Sequence, residues 1–377
     1  MNSTEAFLAL NLLPGIGPIR VRRLLERFHS PERILTAAPA ELTRTPGIGS
    51  EMASQIARWE DVTDLEEEKR RIRDHGISLL TVEDEDYPAA LKAIHDPPFL
   101  LYLKGKILPR DSAALGIVGS RRMTHYGREQ ARKMSFQLAA AGFTIVSGLA
   151  RGIDTAAHEA ALAAGGRTIA VLGSGIGNVY PAENQALADR ISENGAVISE
   201  FPVLYVPDKQ SFPLRNRIVS GLSQGLLVVE APARSGSLIT ANQALEQGRS
   251  VFAVPGPVDR PNSEGCHRLI QQGASLVCSA QDVITELDSG MSSLNLTFDE
   301  PSIAKKGLKK PESNIPRPEL SELEKKILAE LDLGESTIDH LSETTGLPVG
   351  PVSAALLQLE MKCLIKQLPG KYFTKLI

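Results

Sequence analysis

The sequence contains only three cysteines, Cys266, Cys278 and Cys363, among its 377 residues. An odd number of widely spaced cysteines favours neither a disulfide framework nor a zinc site. No apolar run approaches the roughly 20 residues of a membrane span. The N-terminus shows no basic leader followed by a cleavable apolar core. We therefore expect a cytoplasmic protein that makes no contact with a membrane.

The sequence also lacks an excess of positive charge. Its 41 Lys and Arg residues against 45 Asp and Glu residues give a net charge of −4. Any contact with nucleic acid must therefore come from a local basic patch. The length predicts two or three domains, and 42% hydrophobic with 23% charged residues is typical of a globular protein.

Signals of catalysis and of metal binding are scarce as well. The seven histidines form no i, i+4 pair around an acid, and we expect His158 to be a packing or hydrogen-bonding residue. The glycines at 173, 175 and 177 miss the dinucleotide fingerprint, whose third glycine falls one residue later. Asp154 and Glu200 are predicted to cap helices or orient loop amides. We predict no catalytic residue, no cofactor and no metal ion.

A short hairpin motif occurs twice near the N-terminus. The segment LPGIGP at 13–18 recurs as TPGIGS at 45–50, and each copy precedes a helical pattern. Its glycines permit a tight turn and expose backbone amides beside a helix N-terminus, which resembles the helix-hairpin-helix of DNA repair proteins. Arg20, Arg22 and Arg23 can add positive charge. Either the hairpins contact DNA, or they only reverse the chain in an all-α domain at 1–75.

The central region, 76–288, alternates short apolar runs with helical patterns. This alternation predicts βαβ units and a mostly parallel, doubly wound α/β sheet. Ser78–Val82 and Phe99–Leu103 should add edge strands or a small lobe. Helices are expected near 126–141, 154–164, 183–194, 213–222, 238–247 and 265–272. The expected strands are Leu115–Val118, Thr144–Val146, Thr168–Leu172, Ala196–Ile198, Leu226–Val229 and Val251–Val254.

The loops that follow these strands are rich in glycine, serine and arginine. Ligands of such sheets bind beyond the carboxyl ends of the strands, so these loops should share one rim. A row of anion-sized niches suits a backbone that passes several phosphates along a groove. The loops begin with GSRR at 119–122, SGLARGID at 147–154, GSGIGNVYP at 173–181, SEFP at 199–202, SGS at 235–237 and PGP at 255–257.

The stretch from Ser211 to Pro257 combines several of these features. Arg215, Asn216 and Arg217 lie on a predicted helix before a strand, and Ser235-Gly236-Ser237 precedes the next helix. We predict Ser237 as the N-cap of that helix. Helix amides, serines and nearby arginines make a phosphate site, although ordinary capping explains the same serines.

Seven segments of the central region match one family. They are IVGSRR at 117–122, SGLARGID at 147–154, YPAEN at 180–184, FPLRNRIVSGLS at 212–223, SGSLITA at 235–241, VFAVPG at 251–256 and GCHRLIQQGA at 265–274. The chain thus resembles the DprA/Smf family, the DNA-processing proteins of natural transformation. Members often carry a helical N-terminal domain and a small C-terminal winged helix, which fits the flanks of this chain.

The resemblance implies an extended Rossmann-like fold that binds single-stranded DNA without a known catalytic step. Family members usually form a homodimer through this domain. They protect incoming single strands and help load the RecA recombinase. We therefore expect single-stranded DNA, RecA and a second copy of the chain as partners.

The resemblance also implies the residues of a DNA-binding groove. Arg121, in the Gly-Ser-Arg loop, is the principal expected contact. Members often have a charged residue shortly before Tyr-Pro, where this chain has Asn178, which adds no charge. The complete expected set is Gly119, Ser120, Arg121, Arg122, Gly148, Arg151, Asn178, Tyr180, Arg215, Asn216, Arg217, Ser235, Gly236 and Ser237.

The C-terminal region divides into a linker and a small domain. Residues 289–318 are rich in Ser, Pro and Lys, which is typical of a flexible linker. Three helical segments and two strands at 319–377 then predict a winged helix. Its expected recognition helix, Val349–Met361, has no Lys or Arg, which favours protein contact or autoregulation over DNA binding. Four nearby lysines, Lys362, Lys366, Lys371 and Lys375, support the DNA alternative.

Two other functions compete with single-strand binding. Phosphoribohydrolases of the LOG type share this fold and carry a motif similar to PGGxGTxxE, where this chain has PARSGSLIT without the glutamate. A regulator that binds double-stranded DNA through the winged helix is the other alternative.

Overall fold

The computed structural model describes residues 1–292, 321–331, 336–362, 364–368 and 372–375. The chain divides into two compact units, Met1–Thr297 and Phe298–Ile377. The predicted linker begins inside the last helix of the first unit, and its residues from 293 to 318 lie outside the described residues.

The N-terminal region is helical, as predicted. Asn2 begins the first helix with a capping box, because its side chain accepts a hydrogen bond from Glu5 N at 2.8 Å. The two hairpins directly precede the second and fifth helices. The helices are α1 (Ser3–Leu12), α2 (Pro18–Phe28), α3 (Pro31–Thr36), α4 (Pro39–Leu42), α5 (Ser50–Ala57), α6 (Trp59–Val62) and α7 (Leu65–Asp74).

Arg20 and Arg23, which follow the first hairpin, hold the two hairpins together. Arg20 donates to Gly15 O at 2.5 Å and to Gly47 O at 3.0 Å, while Arg23 donates to Pro46 O. Arg22 instead donates to His95 O, beyond the helical region, at 2.8 Å. Their hydrogen-bonding groups therefore serve the packing of the N-terminal region.

Nine strands of the described chain form one sheet, in the order β1-β2-β6-β5-β4-β3-β7-β8-β9. β1 and β2 pair antiparallel at one edge, and β2 is antiparallel to β6, whereas the other pairs are parallel. The two early apolar runs thus extend one edge of the sheet, with β1 as the outermost strand and β2 between β1 and β6. The two-residue β9 was not predicted. The strands are β1 (Ser78–Thr81), β2 (Leu100–Gly105), β3 (Ala114–Val118), β4 (Thr144–Ser147), β5 (Thr168–Leu172), β6 (Ala196–Ser199), β7 (Gly225–Val228), β8 (Ser250–Ala253) and β9 (Ser275–Leu276).

Helices cover both faces of this sheet, which confirms the doubly wound prediction. Buried residues of α9 and α10 share one core with β3 and β4, while those of α12, α13 and α14 share another with β7 and β8. The N-terminal helices and α11 pack in a third core with β5 and β6. The helices are α8 (Ala89–Lys92), α9 (His125–Ala140), α10 (Ile153–Ala163), α11 (Gln185–Asn194), α12 (Ser211–Leu222), α13 (Gly236–Glu246), α14 (Glu264–Gln271) and α15 (Ala280–Ser292).

The strand order reverses between β3 and β7. From β3 the chain builds outward through β4, β5 and β6, and then crosses back to place β7 on the other side of β3. A crevice opens at the carboxyl ends of strands where the order reverses in this way. The topology therefore selects the loops after β3 and β7 as the place for a ligand.

The second unit has the predicted winged-helix order. A three-stranded antiparallel sheet, β10-β12-β11, packs on three helices around Ile327, Leu341, Val352 and Phe373. The short β10 was not predicted. The elements of the second unit are α16 (Glu322–Leu331), β10 (Ser336–Thr337), α17 (Ile338–Thr345), α18 (Val349–Met361), β11 (Ile365–Leu368) and β12 (Tyr372–Lys375). Across the described residues, every helix is too short or too polar to span a membrane.

Candidate nucleic-acid interface

A cavity of about 430 Å³ lies at the crevice between β3 and β7. Four arginines and a single acid, Asp154, are the charged residues that the described part of the chain contributes to its wall. The cavity is thus strongly cationic although the whole chain carries a net charge of −4. Its wall includes Gly119, Ser120, Arg121, Arg122, Asp154, Phe212, Arg215, Asn216, Arg234, Ser235, Gly236, Ser237 and Thr240.

Glu230, just after β7, joins the two loops that frame this cavity. Its backbone oxygen accepts from Ser120 N at 2.7 Å, and its carboxylate accepts from the Thr124 hydroxyl at 2.6 Å. Thr124 is in turn the N-cap of α9. Ser120 is buried and its hydroxyl accepts from Arg122 N, so this serine shapes the loop, whereas Arg121 and Arg122 are exposed.

Arg121 and two aromatic rings form one wall. The guanidinium carbon of Arg121 lies 4.8 Å from the centre of the Phe212 ring, and the centre of the Tyr180 ring lies 5.9 Å from that of Phe212. All three residues line a smaller adjoining cavity, and Arg121 and Phe212 line the larger one as well. Asp208 fixes the start of α12 because its carboxylate accepts from Ser211 N at 2.7 Å, which places Phe212 in the first turn.

Arg215 lines both cavities but is almost completely buried. Its side chain is buried and donates to Gly148 O and Val171 O, at the ends of β4 and β5. Burial lowers the pKa of this guanidinium to about 10. A Cβ atom on Gly148 would lie 2.4 Å from Arg215 Nη1, so a larger residue here would displace the guanidinium group. Arg215 therefore positions two rim loops and contributes charge from below.

Asp154 orients the loop that follows β4, as predicted. Its carboxylate accepts from Gly148 N at 3.2 Å and from Ala150 N at 3.4 Å. Burial raises the pKa of this carboxyl above its ordinary value. Gly152, at the end of the loop, has φ of +82° and would place a Cβ atom 2.2 Å from Ser120 O.

The loop before α13 supplies Arg234 and the serines. The predicted N-cap was two residues too late: α13 begins at Gly236, and Ser235 is its N-cap, accepting from Ser237 N at 3.3 Å. The hydroxyl groups of Ser235 and Ser237 lie 2.7 Å apart. Arg234 was not among the expected site residues, although its position in the loop before the helix was a usable signal.

Three expected site residues have other contacts. Arg217 lies outside the wall of this cavity and pairs with Glu200 at 2.5 Å, so Glu200 is an ion-pair partner rather than a cap or an orienter of loop amides. Asn178 donates to Tyr205 O at 3.3 Å and lines neither cavity. Arg151 lines the smaller cavity but pairs with Glu183.

The prediction that His158 is a packing or hydrogen-bonding residue is confirmed. His158 is completely buried, and its Nδ1 lies 2.7 Å from the Thr168 hydroxyl. Burial lowers the pKa of this imidazole to about 3, so His158 is neutral at physiological pH and belongs to the core.

Three family models match the chain. "DNA recombination-mediator protein A" matches residues 78–288, "DprA winged helix domain" matches 311–371, and "SAM-like Helix-hairpin-helix tandem" matches 7–58. The Protein Smf of Synechocystis sp. is 37% identical, with 99% of each chain covered. These matches agree with the resemblance seen in the seven central segments.

Two solved structures are similar in fold and in sequence. DNA processing protein A from Streptococcus pneumoniae has a TM-score of 0.68 at 36% identity, over 76% of this chain and 99% of that one. DNA processing protein A from Helicobacter pylori, described with a unique single-stranded DNA binding mode, has a TM-score of 0.51 at 31% identity, over 57% and 96% of the two chains. The chain therefore belongs to the DprA/Smf family of DNA processing proteins.

Proposed function

We propose that this protein binds single-stranded DNA across the cavity between β3 and β7, in the cytoplasm and without catalysis. The observation that carries the proposal is the combination of four arginines with the Phe212 ring in this cavity, next to the Tyr180 ring in the smaller adjoining cavity. Phosphates require cations along their path, and unpaired bases require flat apolar surfaces. Similarity to the Helicobacter pylori protein, which is described as binding single strands, supports the same function.

The phosphate path would follow the exposed cations. Arg121, Arg122 and Arg234 are exposed around the cavity. The N-terminus of α13 contributes its positive dipole end. Gly119, Ser120, Gly148 and Arg215 support this path by holding the loops. We propose Arg151, Asn178 and Arg217 as secondary members, since their polar groups are already engaged.

A base would stack beside Arg121. The Tyr180 side chain is 46% exposed and adjoins Phe212, so the pair presents ring surface to an incoming strand. Stacking on aromatic rings tolerates any base, because every base has a π-face. The site should therefore bind single strands with little sequence preference and discriminate against stacked duplexes.

The most direct test is fluorescence anisotropy with labelled oligo-dT over a range of salt concentrations. Arg121→Ala should weaken binding and reduce the slope of log K against log salt by about 1, because one phosphate contact is lost. Arg190→Ala, an exposed arginine on α11, is the matched control and should change neither quantity. Equal affinity of the wild type and Arg121→Ala would contradict the proposed groove.

We further propose that the bound strand is protected and passed to the RecA recombinase by a homodimer. Leu245 on α13 and Leu276 on β9 are each more than half exposed, on elements that pack at one end of the sheet, and large exposed apolar side chains favour an interface. Light scattering of the wild type and Leu245→Glu tests dimerisation. RecA-promoted strand exchange on single strands coated with a single-strand-binding protein tests loading.

For the rest of the chain we propose a helical domain at 1–75, the DNA-binding domain at 76–288, a linker at 289–318 and a winged helix at 319–377. The exposed residues of α18 include Val349 and Leu357, and this helix contains no basic residue. We propose that it contacts protein rather than duplex DNA. Anisotropy with single-stranded and double-stranded probes of equal length separates these two possibilities.

The glutamate that nucleotide hydrolysis would need is not present on α13. Thr240 occupies the position of the glutamate in the LOG-type motif, and Asp154, the acid in the wall, is bound to loop amides. Incubation with AMP should therefore release no adenine. Release of adenine that is lost in Asp154→Asn would show an enzyme instead.

A further inference from the structure

Another polar cavity, of about 540 Å³, is separate from the cavity between β3 and β7. It is formed by the middle of α12, the C-terminal end of α13 and the segment after α8. Arg217, Gln243, Glu246, Gln247 and Arg249 line it, and none of these residues lines the cavity between β3 and β7. Its volume is within the usual range for small-molecule sites.

Two glutamine oxygens at this cavity have no hydrogen-bond donor. Gln243 donates its amide nitrogen to Pro213 O, and Gln247 donates to Arg217 O, each at 3.1 Å. These bonds fix which end of each amide is the oxygen, because a carbonyl cannot accept from another carbonyl. Both Oε1 atoms are buried and unpaired within the described part of the chain. A buried acceptor without a protein donor is costly, so a ligand that brings a donor to it would be stabilised.

The charges around the cavity are unevenly compensated. Arg217 pairs with both Glu200 and Asp96. Arg249 donates to two backbone carbonyls but has no carboxylate within ion-pair distance among the described residues, and its Nε is buried without a hydrogen bond. Glu246 is exposed and likewise makes no ion pair there. The cavity therefore holds one cation and one anion whose charges are available to a ligand.

We propose that this cavity binds a free α-amino acid. The carboxylate of the ligand would pair with Arg249, and its ammonium group would donate to Gln243, Gln247 and Glu246. The two amide oxygens are covered in this conformation, so a small rotation of each terminal amide must accompany binding. A phosphate dianion fits less well, because Asp96, Glu200 and Glu246 give three carboxylates against two guanidinium groups.

Isothermal titration of the full-length protein with the standard α-amino acids tests this site. At least one should bind saturably at millimolar concentration, while its N-acetyl and carboxamide derivatives should bind about tenfold more weakly, the effect of one lost charged hydrogen bond. Arg249→Gln should weaken binding by a similar factor, and Arg190→Gln should not. Oligo-dT affinity should stay at the wild-type value in both variants, which keeps this test separate from that of the DNA groove.

Three results would overturn the proposal. They are no binding of any amino acid, unchanged binding in Arg249→Gln, or tighter binding of inorganic phosphate or AMP than of every amino acid. Glu246 is exposed, so we expect Glu246→Gln to fold normally. This second variant tests the proposal if Arg249→Gln does not fold. Weaker discrimination against the N-acetyl derivative is expected in Glu246→Gln, because that variant lacks the charged partner of the ammonium group.

Discussion

The guanidinium carbon of Arg121 lies 4.8 Å from the centre of the Phe212 ring, although one residue follows β3 and the other begins α12. A cation and an aromatic face are thus adjacent at the crevice where the strand order reverses. A phosphate and its base need these two surfaces side by side. Mutation of each residue in turn can therefore separate the contribution of phosphate contact from that of base stacking.

Phe212→Leu should weaken oligo-dT binding without changing its salt dependence. Loss of one stacked base costs about 1–3 kcal/mol, whereas no phosphate contact is removed. Salt-dependent anisotropy measures both quantities, and Phe136→Leu, at an exposed position on α9, is the matched control. A reduced salt slope in Phe212→Leu would show that the ring instead positions a phosphate contact.

Glu183→Gln should tighten single-strand binding. Glu183 pairs with Arg151, which lines the smaller cavity, through Nη2–Oε2 at 2.6 Å and a second bond from Nε. Removing the carboxylate frees this arginine to contact phosphate. Because an exposed ion pair is worth little free energy, we expect the affinity for the strand to rise by only about two- to fivefold. The gain should be absent when Glu183→Gln is measured in an Arg151→Gln background. A gain that persists there would contradict the competition between Glu183 and phosphate.

Asp111→Asn should destabilise the protein in a pH-dependent way. Asp111 and Arg167 form a buried ion pair at 2.7 Å. Burial alone would raise the pKa of Asp111, but hydrogen bonds from Arg167, Leu108 N and Thr144 outweigh it and hold the pKa below its ordinary value. We expect a loss of about 3–5 kcal/mol in unfolding free energy at neutral pH, because Arg167 would remain buried and unpaired.

The sign of the pH effect follows from the lowered pKa. The carboxylate contributes stability that is fully present above the unfolded-state pKa of about 4 and is lost as the pH falls through the lower folded value. Urea unfolding should therefore show that the difference between wild type and Asp111→Asn shrinks in acid. Asp189→Asn, in a half-exposed pair with Lys104, should cost under about 1 kcal/mol. An Asp111→Asn difference that is the same at neutral and acidic pH would contradict the ion-pair explanation.

Arg20→Ala should lower the melting temperature by a few degrees and leave oligo-dT affinity unchanged. Arg20 bridges the two hairpins through Gly15 O and Gly47 O, so its loss loosens their packing. Thermal unfolding measures the first effect, and anisotropy measures the second. Arg27→Ala, at the exposed end of α2, serves as the control. Weaker DNA binding at unchanged stability would instead show that the hairpins contact the strand.

The sequence was sufficient for the parts of the fold that depend on local patterns. The alternation of apolar runs with helical segments predicted the strands from β3 to β8 and the helices between them. The edge placement of β1 and β2 was one of two alternatives, and β9 and β10 were missed because a two-residue strand has no periodicity. Loops rich in Gly, Ser and Arg pointed to the rim of the sheet where the structure has its cationic cavity.

Only the tertiary structure decided what each arginine contacts. Arg121, Arg215 and Arg217 are equivalent in a sequence, yet one is exposed beside Phe212, one is buried beneath Gly148 and one pairs with Glu200. Their roles depend on which loops the crossover from β6 to β7 brings together, and that is a long-range property. The sequence alone therefore determined the family, the sheet and the cationic rim, because these follow from local pattern and motif. The partners of each charge required the folded chain, because burial and ion pairing are set by residues distant in sequence.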